Sequence, residues 1–151
     1  MDIRLAGPDD IESVAKLVSH IRMKDISVDE IQTIYQQTIA SAQADILLVV
    51  DTNEVIAIAV LNCVLKLNRI ECRLDEAVVA PEQRGKGIGT KLIEACEKWA
   101  WERDCYKIEF TSRPERDNSV RFYEKRGYDK RDSTIYTKFS PTTDYVKTKV
   151  I

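Results

Sequence analysis

Hydrophobic positions change their period several times along this chain, and each change marks an element. Asp2 to Ala6 reads as a short strand. Pro8 opens "PDDIESVAKLVSHIR", where Ile11, Val14, Leu17, Val18 and Ile21 fall at helical spacing. A second helix is predicted over "SVDEIQTIYQQTIASA", with Ser27 and Glu30 at capping-box spacing and Ile31, Ile34, Tyr35 and Ile39 on the buried face. "ADILLVV" and "VIAIAVLNCVL", joined by "DTNE", then predict a β-hairpin. "RIECRLDEAVVA" is a third β-rich run, ended by Pro81, and its charges suggest a strand with one functional face.

From Gly87 to Asp104 the helical period returns through Ile88, Leu92, Ile93, Cys96, Trp99 and Ala100. "YKIEFTS" predicts a strand, and "DNSVRFYEKRG", starting at Asp117, a helix stopped by Gly127. "STIYTKF" predicts a last strand. In the tail, Val146, Thr148 and Val150 alternate with Lys147 and Lys149, the pattern of an extra edge strand within the chain or on a partner, unless the tail is disordered. With no repeat, low-complexity stretch or linker, residues 1–140 are expected to form a single domain, with 141–151 as tail or edge strand.

Composition narrows the classes of function. The 23 Lys and Arg nearly balance the 25 Asp and Glu of the 151 residues, so the basic excess of a nonspecific nucleic-acid binder is missing. Cys63, Cys72, Cys96 and Cys105 form no CxxC pair, and the single His20 completes no zinc set, so no metal is expected and the cysteines read as reduced, mostly buried thiols. The charged N-terminus leaves no room for the apolar core of a secretion signal. The apolar runs Ile46 to Val50 and Val55 to Leu61 fall far short of the roughly 20 residues of a membrane helix. A cytoplasmic protein without nucleic-acid or membrane partners is expected.

Candidate chemistry concentrates in "VVAPEQRGKGIGTKLIEA", which places Gly85, Gly87 and Gly89 at alternate positions between a strand and a helix, beside Arg84 and Lys86. Residues without side chains let backbone N–H groups converge on an anion at the positive end of a helix, and a pyrophosphate is the natural guest. A P-loop would need Lys directly after its last glycine, whereas Gly89 is followed by Thr90 and then Lys91. A GxGxxG dinucleotide fingerprint would need glycine at position 90 and an earlier strand. Glycines that served a tight turn alone would leave Arg84, Lys86 and the alternation unexplained.

Arg84-x-x-Gly87-x-Gly89, preceded by "EAVVAP", resembles the acetyl-CoA signature of the GCN5-related N-acetyltransferase (GNAT) family. "NSVRFYEKRGY", Asn118 to Tyr128, is similar to a second family segment, keeping the Phe122, Tyr123 and Gly127 positions but carrying Ser119 or Val120 where alanine is usual. The resemblance runs along almost the whole chain. It implies an α/β (α+β) fold in the order β-α-α-β-β-β-α-β-α-β-β, with a mixed, mostly antiparallel sheet of about six or seven strands flanked by about four helices.

For activity, the resemblance implies an acetyl-CoA-dependent N-acetyltransferase in which a primary amine attacks the thioester directly in a ternary complex. It places the diphosphate on Arg84, Gly85, Lys86, Gly87, Ile88, Gly89 and Thr90, and pairs the pantetheine arm with the backbone of Val78 and Val79. An N–H of this strand, by expectation that of Val78, would stabilise the carbonyl oxygen as it gains charge. Glu76 is the expected base; Asp75 would replace it if a bulge shifts side-chain parity, and water or an ordinary solvated carboxylate pair is the alternative. Tyr123 would donate a hydrogen bond to the leaving thiolate, unless it merely packs on Phe122. Asn118 would bond the pantetheine or the preceding strand, or cap its helix.

The acceptor is expected to be a small-molecule amine entering between "SHIRMKDISVDEI" and "KLNRIECR", with Glu71, Asp75 and Glu76 favouring a cationic amine if they are more than surface charges. A protein or peptide amine is the runner-up. A non-catalytic acetyl-CoA sensor is the alternative from another class. Homodimers are common in the family, and the C-terminal alternation could supply a shared edge.

Overall fold

The computed structural model describes residues 1–112 and 117–142, and the chain divides into two compact units, Met1–Thr111 and Ser112–Ile151. In the first unit the order is β1 (Asp2–Leu5), α1 (Ile11–Arg22), α2 (Val28–Ala40), β2 (Ala44–Asp51), β3 (Glu54–Lys66), β4 (Arg69–Val79), α3 (Ile88–Trp101) and β5 (Ile108–Glu109). Among the described residues the strands form one five-stranded sheet in sequence order, antiparallel except for the parallel pair β4 and β5.

The middle of the sheet is apolar on both faces because it is covered on both. Ile46 and Leu48 of β2, Ile58 of β3 and Val78 of β4 pack with Val14, Leu17 and Val18 of α1 and Tyr35 of α2. Side chains alternate along a strand, so Asp45, Leu47 and Val49 point the other way. On that face the Trp99 indole of α3 donates to Asp45 Oδ2 at 2.8 Å, and Arg103 reaches the same oxygen at 3.2 Å while lying over the Trp99 ring. The "DTNE" connection is a two-residue hairpin turn: Thr52 and Asn53 both take positive φ, 49° and 64°, with Asp51 paired to Glu54.

Helices α1 and α2 are anchored by their own polar contacts. Ser27 accepts from the Glu30 N–H while the Glu30 carboxylate accepts from Ser27 N–H, the capping box expected for α2. Tyr35 of α2 donates its hydroxyl to Gly7 O at 2.5 Å, and burial, followed by the Asp10 charge, pushes that phenol up to about 12. Asp10 accepts from both terminal nitrogens of Arg4, each at 2.8 Å, and from Gly7 N–H at 2.7 Å. The β1 strand, the head of α1 and the middle of α2 therefore meet at one polar point.

The second unit holds α4 (Asp117–Glu124), closed by Gly127 at φ +83° as its sequence position leads one to expect. One expected strand is short and another does not form. "YKIEFTS" yields the two residues of β5, which bond β4 briefly before the two strands part. "STIYTKF" is not a strand: no ladder among the described residues includes it, and Ile135, Tyr136 and Phe139 are exposed. A strand exists through its partner, so alternation without a ladder leaves an irregular segment. The alternating residues of the tail lie outside the described residues from 143 onward.

The Arg4 hydrogen bond holds the Asp10 carboxyl below its usual range. A carboxyl with a depressed folded pKa contributes stability that is present above its unfolded value, near 3.9, and is lost as pH falls through the lower folded value. Urea unfolding between pH 2 and 7 should show Asp10→Asn less stable than the native chain at neutral pH and closing on it below about pH 4. A constant gap across that range would remove Asp10 from the acid limb.

Candidate active site: a glycine turn, an open strand edge and a charged face

After Val79 the chain makes one short helical turn, Pro81–Gln83, held by Gln83 N–H to Ala80 O at 2.8 Å, and then enters the glycine stretch. Gly85 and Gly87 take φ of +76° and +80°, a conformation costing an L-residue roughly 1–2 kcal/mol, and a Cβ built on either meets nothing within 4 Å. The glycines answer a backbone demand and leave open space above the turn. Gly87 is also the N-cap of α3 and, having no side chain, makes no cap hydrogen bond, and no acidic residue stands in the first turn. Ile88 anchors the helix start in the core, while Gly89 and Thr90 are half-buried behind it.

Uncapped N–H groups at the positive end of a 14-residue helix form an anion site in electrostatic terms. Arg84 and Lys86 are exposed beside it, with Arg84 Nε donating to Val79 O at 3.2 Å and Lys86 Nζ to Gln83 Oε1 at 3.1 Å.

The strand leading into this turn has an open edge. Among the described residues β5 pairs with Cys72 and Arg73 of β4, whereas the run from Glu76 to Val79 is paired on its β3 side alone. Backbone groups alternate sides along a strand. Ala80 N–H donates to Ile56 O of β3 at 2.8 Å, so Val78, two residues earlier and opposite Ile58, also turns its N–H toward β3. Ala77 and Val79 are the residues whose N–H and C=O face the open edge. This corrects the expected role of Val78: its side chain is buried with α1 and α2 and its N–H faces the sheet, so the outward donor nearest Glu76 is Ala77.

A β-bulge sets the carboxylates. Val60 pairs with Glu76 and Leu61 with Leu74, which leaves Asp75 as the extra residue of β4. Cross-strand partners share a face, so Leu74 lies on the Leu61 side and Glu76 on the Val60 side, toward α1. Arg22 Nη2, in the last turn of α1, donates to Glu76 Oε1. Asp75 leans to the same face, accepting from Asn62 Nδ2 at 2.6 Å with Arg73 Nε at 3.4 Å. The expectation that strand alternation lets one of the two face the site is thus modified: the bulge brings both carboxylates to the α1 side, with different partners. Neither Arg22 nor Asn62 has a local signal in the sequence, since each reaches β4 through the tertiary fold.

The other expected residues divide as the units do. Tyr123 lies on α4 in the second unit, its ring edge-on to Phe122 at 5.2 Å and to Tyr128 at 5.8 Å. The Asn118 side chain lies outside the described residues. A wide depression at the end of α1 is lined by Ser19, His20, Met23, Lys24, Asp25 and Ile26, within the segment expected to wall the acceptor, but neither Glu76 nor the glycine turn lines it. All four thiols are unbridged; burial pushes Cys72 and Cys96 up to about 12 and Cys105 up to about 11, far from the thiolate a nucleophile needs. Among the described residues no helix is long and apolar enough to cross a membrane, and no group of three or more His, Cys, Asp or Glu could hold a metal ion.

Residues 13–128 match the family model described as Acetyltransferase (GNAT) family. The chain belongs to the GNAT acetyltransferase family. Members of this family take their acetyl group from acetyl-CoA. Over 77 residues, half of this GNAT chain, it is 31% identical to a kanamycin resistance protein of Rhizobium radiobacter, covering 70% of that protein. Over 55 residues, 36% of the chain, it is 40% identical to glucosamine 6-phosphate N-acetyltransferase of Candida albicans, and the matched segment spans about a third (35%) of that relative. Among solved structures, an aminoglycoside N-acetyltransferase in complex with CoA superposes with a TM-score of 0.81 at 17% identity, over 91% of this chain and 93% of that one. An aminoglycoside 6'-N-acetyltransferase from Acinetobacter haemolyticus gives 0.76 at 19% identity, over 93% and 99%. These two show that the GNAT fold is shared.

Because a Cβ at Gly87 meets open space, Gly87→Ala should carry a conformational cost only. Chemical denaturation should show a loss of about 1 kcal/mol, with Gly87→Val worse because β-branched residues tolerate positive φ poorly. Equal stability for all three chains would contradict the left-handed N-cap.

Proposed function

We propose that this chain is an acetyl-CoA-dependent N-acetyltransferase that moves the acetyl group to a primary amine of a small molecule, by direct attack within a ternary complex. The observation that carries the reading is the continuity of two backbone features: the open edge of β4 at Ala77 and Val79 runs into the uncapped, glycine-lined start of α3. A pantetheine arm suits the first and a diphosphate the second. The names of the relatives, which act on glucosamine 6-phosphate and on aminoglycosides, support a small-molecule acceptor.

Acetyl-CoA supplies a thioester, an acyl group already activated for transfer. In the proposed complex Arg84, Lys86 and the N–H groups from Gly85 to Thr90 bind the diphosphate, and Val79 pairs with the pantetheine amides. The N–H of Ala77 donates to the thioester carbonyl oxygen, where negative charge develops; one such donor is typically worth about 3–4 kcal/mol of barrier.

An alkylamine with pKa near 10.4 is about 99.9% protonated at neutral pH and must lose a proton first. Glu76, directly or through water, accepts it, with Asp75 next to it at the bulge as the alternative base. The freed nitrogen bonds the acetyl carbon as the C–S bond breaks, and it then releases its second proton to solvent to give the neutral amide. Tyr123 donates a hydrogen bond to the sulfur, and the departing thiolate takes a proton from solvent. Tyr123 is suited to hydrogen bonding more than to full proton transfer, since a phenol near pKa 10 is a weaker acid than the thiol.

Calorimetry with acetyl-CoA and with CoA tests the cradle: saturable binding of both is expected, and a folded sample with neither would end the proposal. CoA thiol release across polyamines, aminoglycosides, amino acids and peptides tests the acceptor class. Turnover confined to peptides would point to a protein acceptor, and binding without any turnover to a sensor.

Tyr123→Phe should lower kcat on the order of 10²-fold while leaving acetyl-CoA affinity within about twofold; unchanged turnover would remove Tyr123 from the reaction. Glu76→Gln should lower kcat on the order of 10²-fold while acetyl-CoA binding persists. Unaltered turnover would transfer the base role to Asp75 or to water.

A further inference from the structure

The face of β4 that carries Glu76 is charged at almost every position, and its charges are already spent on one another. Arg69 Nε donates to Glu71 Oε1 at 2.8 Å, and Lys107 Nζ lies 3.9 Å from the other Glu71 oxygen. Asp75 is held by Asn62 and Arg73, and Glu76 by Arg22. Lys107 also bonds Glu109, which faces Arg73 across the parallel pair. Four cations thus answer four carboxylates, so the surface beside the expected base has no net negative charge to offer.

That balance bears on the acceptor. A polycation gains affinity from a site with excess negative charge; here each ammonium would have to displace a resident arginine or lysine and leave it unpaired. A cationic amine, favoured by Glu71, Asp75 and Glu76 when they are counted alone, loses that advantage. A molecule with one ammonium and one anion faces no such loss. It can part Arg22 from Glu76 and re-pair both, the ammonium on the carboxylate and the anion on the guanidinium. The exchange conserves charge, and Arg22 suits it because its side chain is half-exposed, whereas that of Glu76 is only 23% exposed. Since the two groups touch before the exchange, amine and anion should stand only a few bonds apart.

We infer that the acceptor is a zwitterionic small amine, a primary amine with a carboxylate or phosphate close by, and that Arg22 is the residue that selects its anion. The inference rests on the acetyl-transfer reading of Glu76 and deepens it. By holding the anion, Arg22 positions the amine on Glu76; it is a positioning residue, not one that touches the transferred acetyl group.

The test compares amines that differ in the anion alone: β-alanine against propylamine, and O-phosphoethanolamine against ethanolamine, with kanamycin as the polycation. Acetyl-CoA-dependent kcat/KM should favour the anionic member of each pair by at least tenfold. In Arg22→Gln that ratio should fall toward one, chiefly through KM, and Arg22→Lys should restore part of it. Equal use of the paired amines, a preference for kanamycin, or a ratio unmoved in Arg22→Gln would overturn the inference. Calorimetry of β-alanine and O-phosphoethanolamine without any coenzyme separates the two readings. Binding lost in Arg22→Gln supports the zwitterion site even where no acetyl transfer occurs, and no binding to the native chain refutes it even where acetyl-CoA binds.

Discussion

One surplus residue in β4 sets the arrangement of everything near the proposed reaction. With ordinary alternation Leu74, Glu76 and Val78 would share a face. The bulge at Asp75 breaks the parity, so Leu74 stays with Leu61 on the α3 side while Glu76 and Val78 turn toward α1. Both apolar faces of the sheet remain filled, and a pair of carboxylates is delivered to the end of α1 where Arg22 waits. A one-residue shift in pairing is costly where both faces are buried, which is why the displacement is absorbed locally, beside the carboxylates of the proposed site.

Backbone, more than side chains, builds the proposed coenzyme side. The parting of β4 from β5 after Arg73 leaves Ala77 and Val79 with outward amides, and the glycine turn continues that line into the first turn of α3. Main-chain donors held by a ladder and a helix are preorganised: they need no reorganisation when charge appears, and no side-chain entropy is lost in presenting them. Arg84 contributes to the same order by bonding Val79 O, tying the strand end to the loop.

On the proposed acceptor side electrostatics follows a different logic. The near-neutral net charge of the chain is repeated locally, cation beside anion, on the face formed by β4, the end of β5 and the last turn of α1. Apart from those of the buried Glu71, the pairs are largely exposed and add little stability, on the order of 0–1 kcal/mol each. Their value lies in what they exclude and in how readily a ligand of matching polarity can replace them. The helices that bring Arg22 there are held by apolar contacts to Ile58 and Val78 and by the shared polar point at Gly7, Asp10 and Tyr35.

By itself the sequence determined the helices, the hairpin, the strand before Pro81 and the glycine turn. Each depends on residues near in the chain: periodicity of 3.6 or 2, the Ser27 and Glu30 capping box, and the glycines at 85 and 87 that alone take positive φ cheaply. It pointed as well to Glu76 and Asp75 as the carboxylates beside that turn. Tertiary structure decided what local pattern cannot carry. Whether "STIYTKF" becomes a strand depends on a ladder partner, and which amide faces outward depends on the side from which β3 bonds β4, which replaced Val78 by Ala77. Arg22 and Glu76 meet across 54 residues of chain because α1 packs over a bulge; an ion pair leaves no periodic trace, since its energy depends on distance in space.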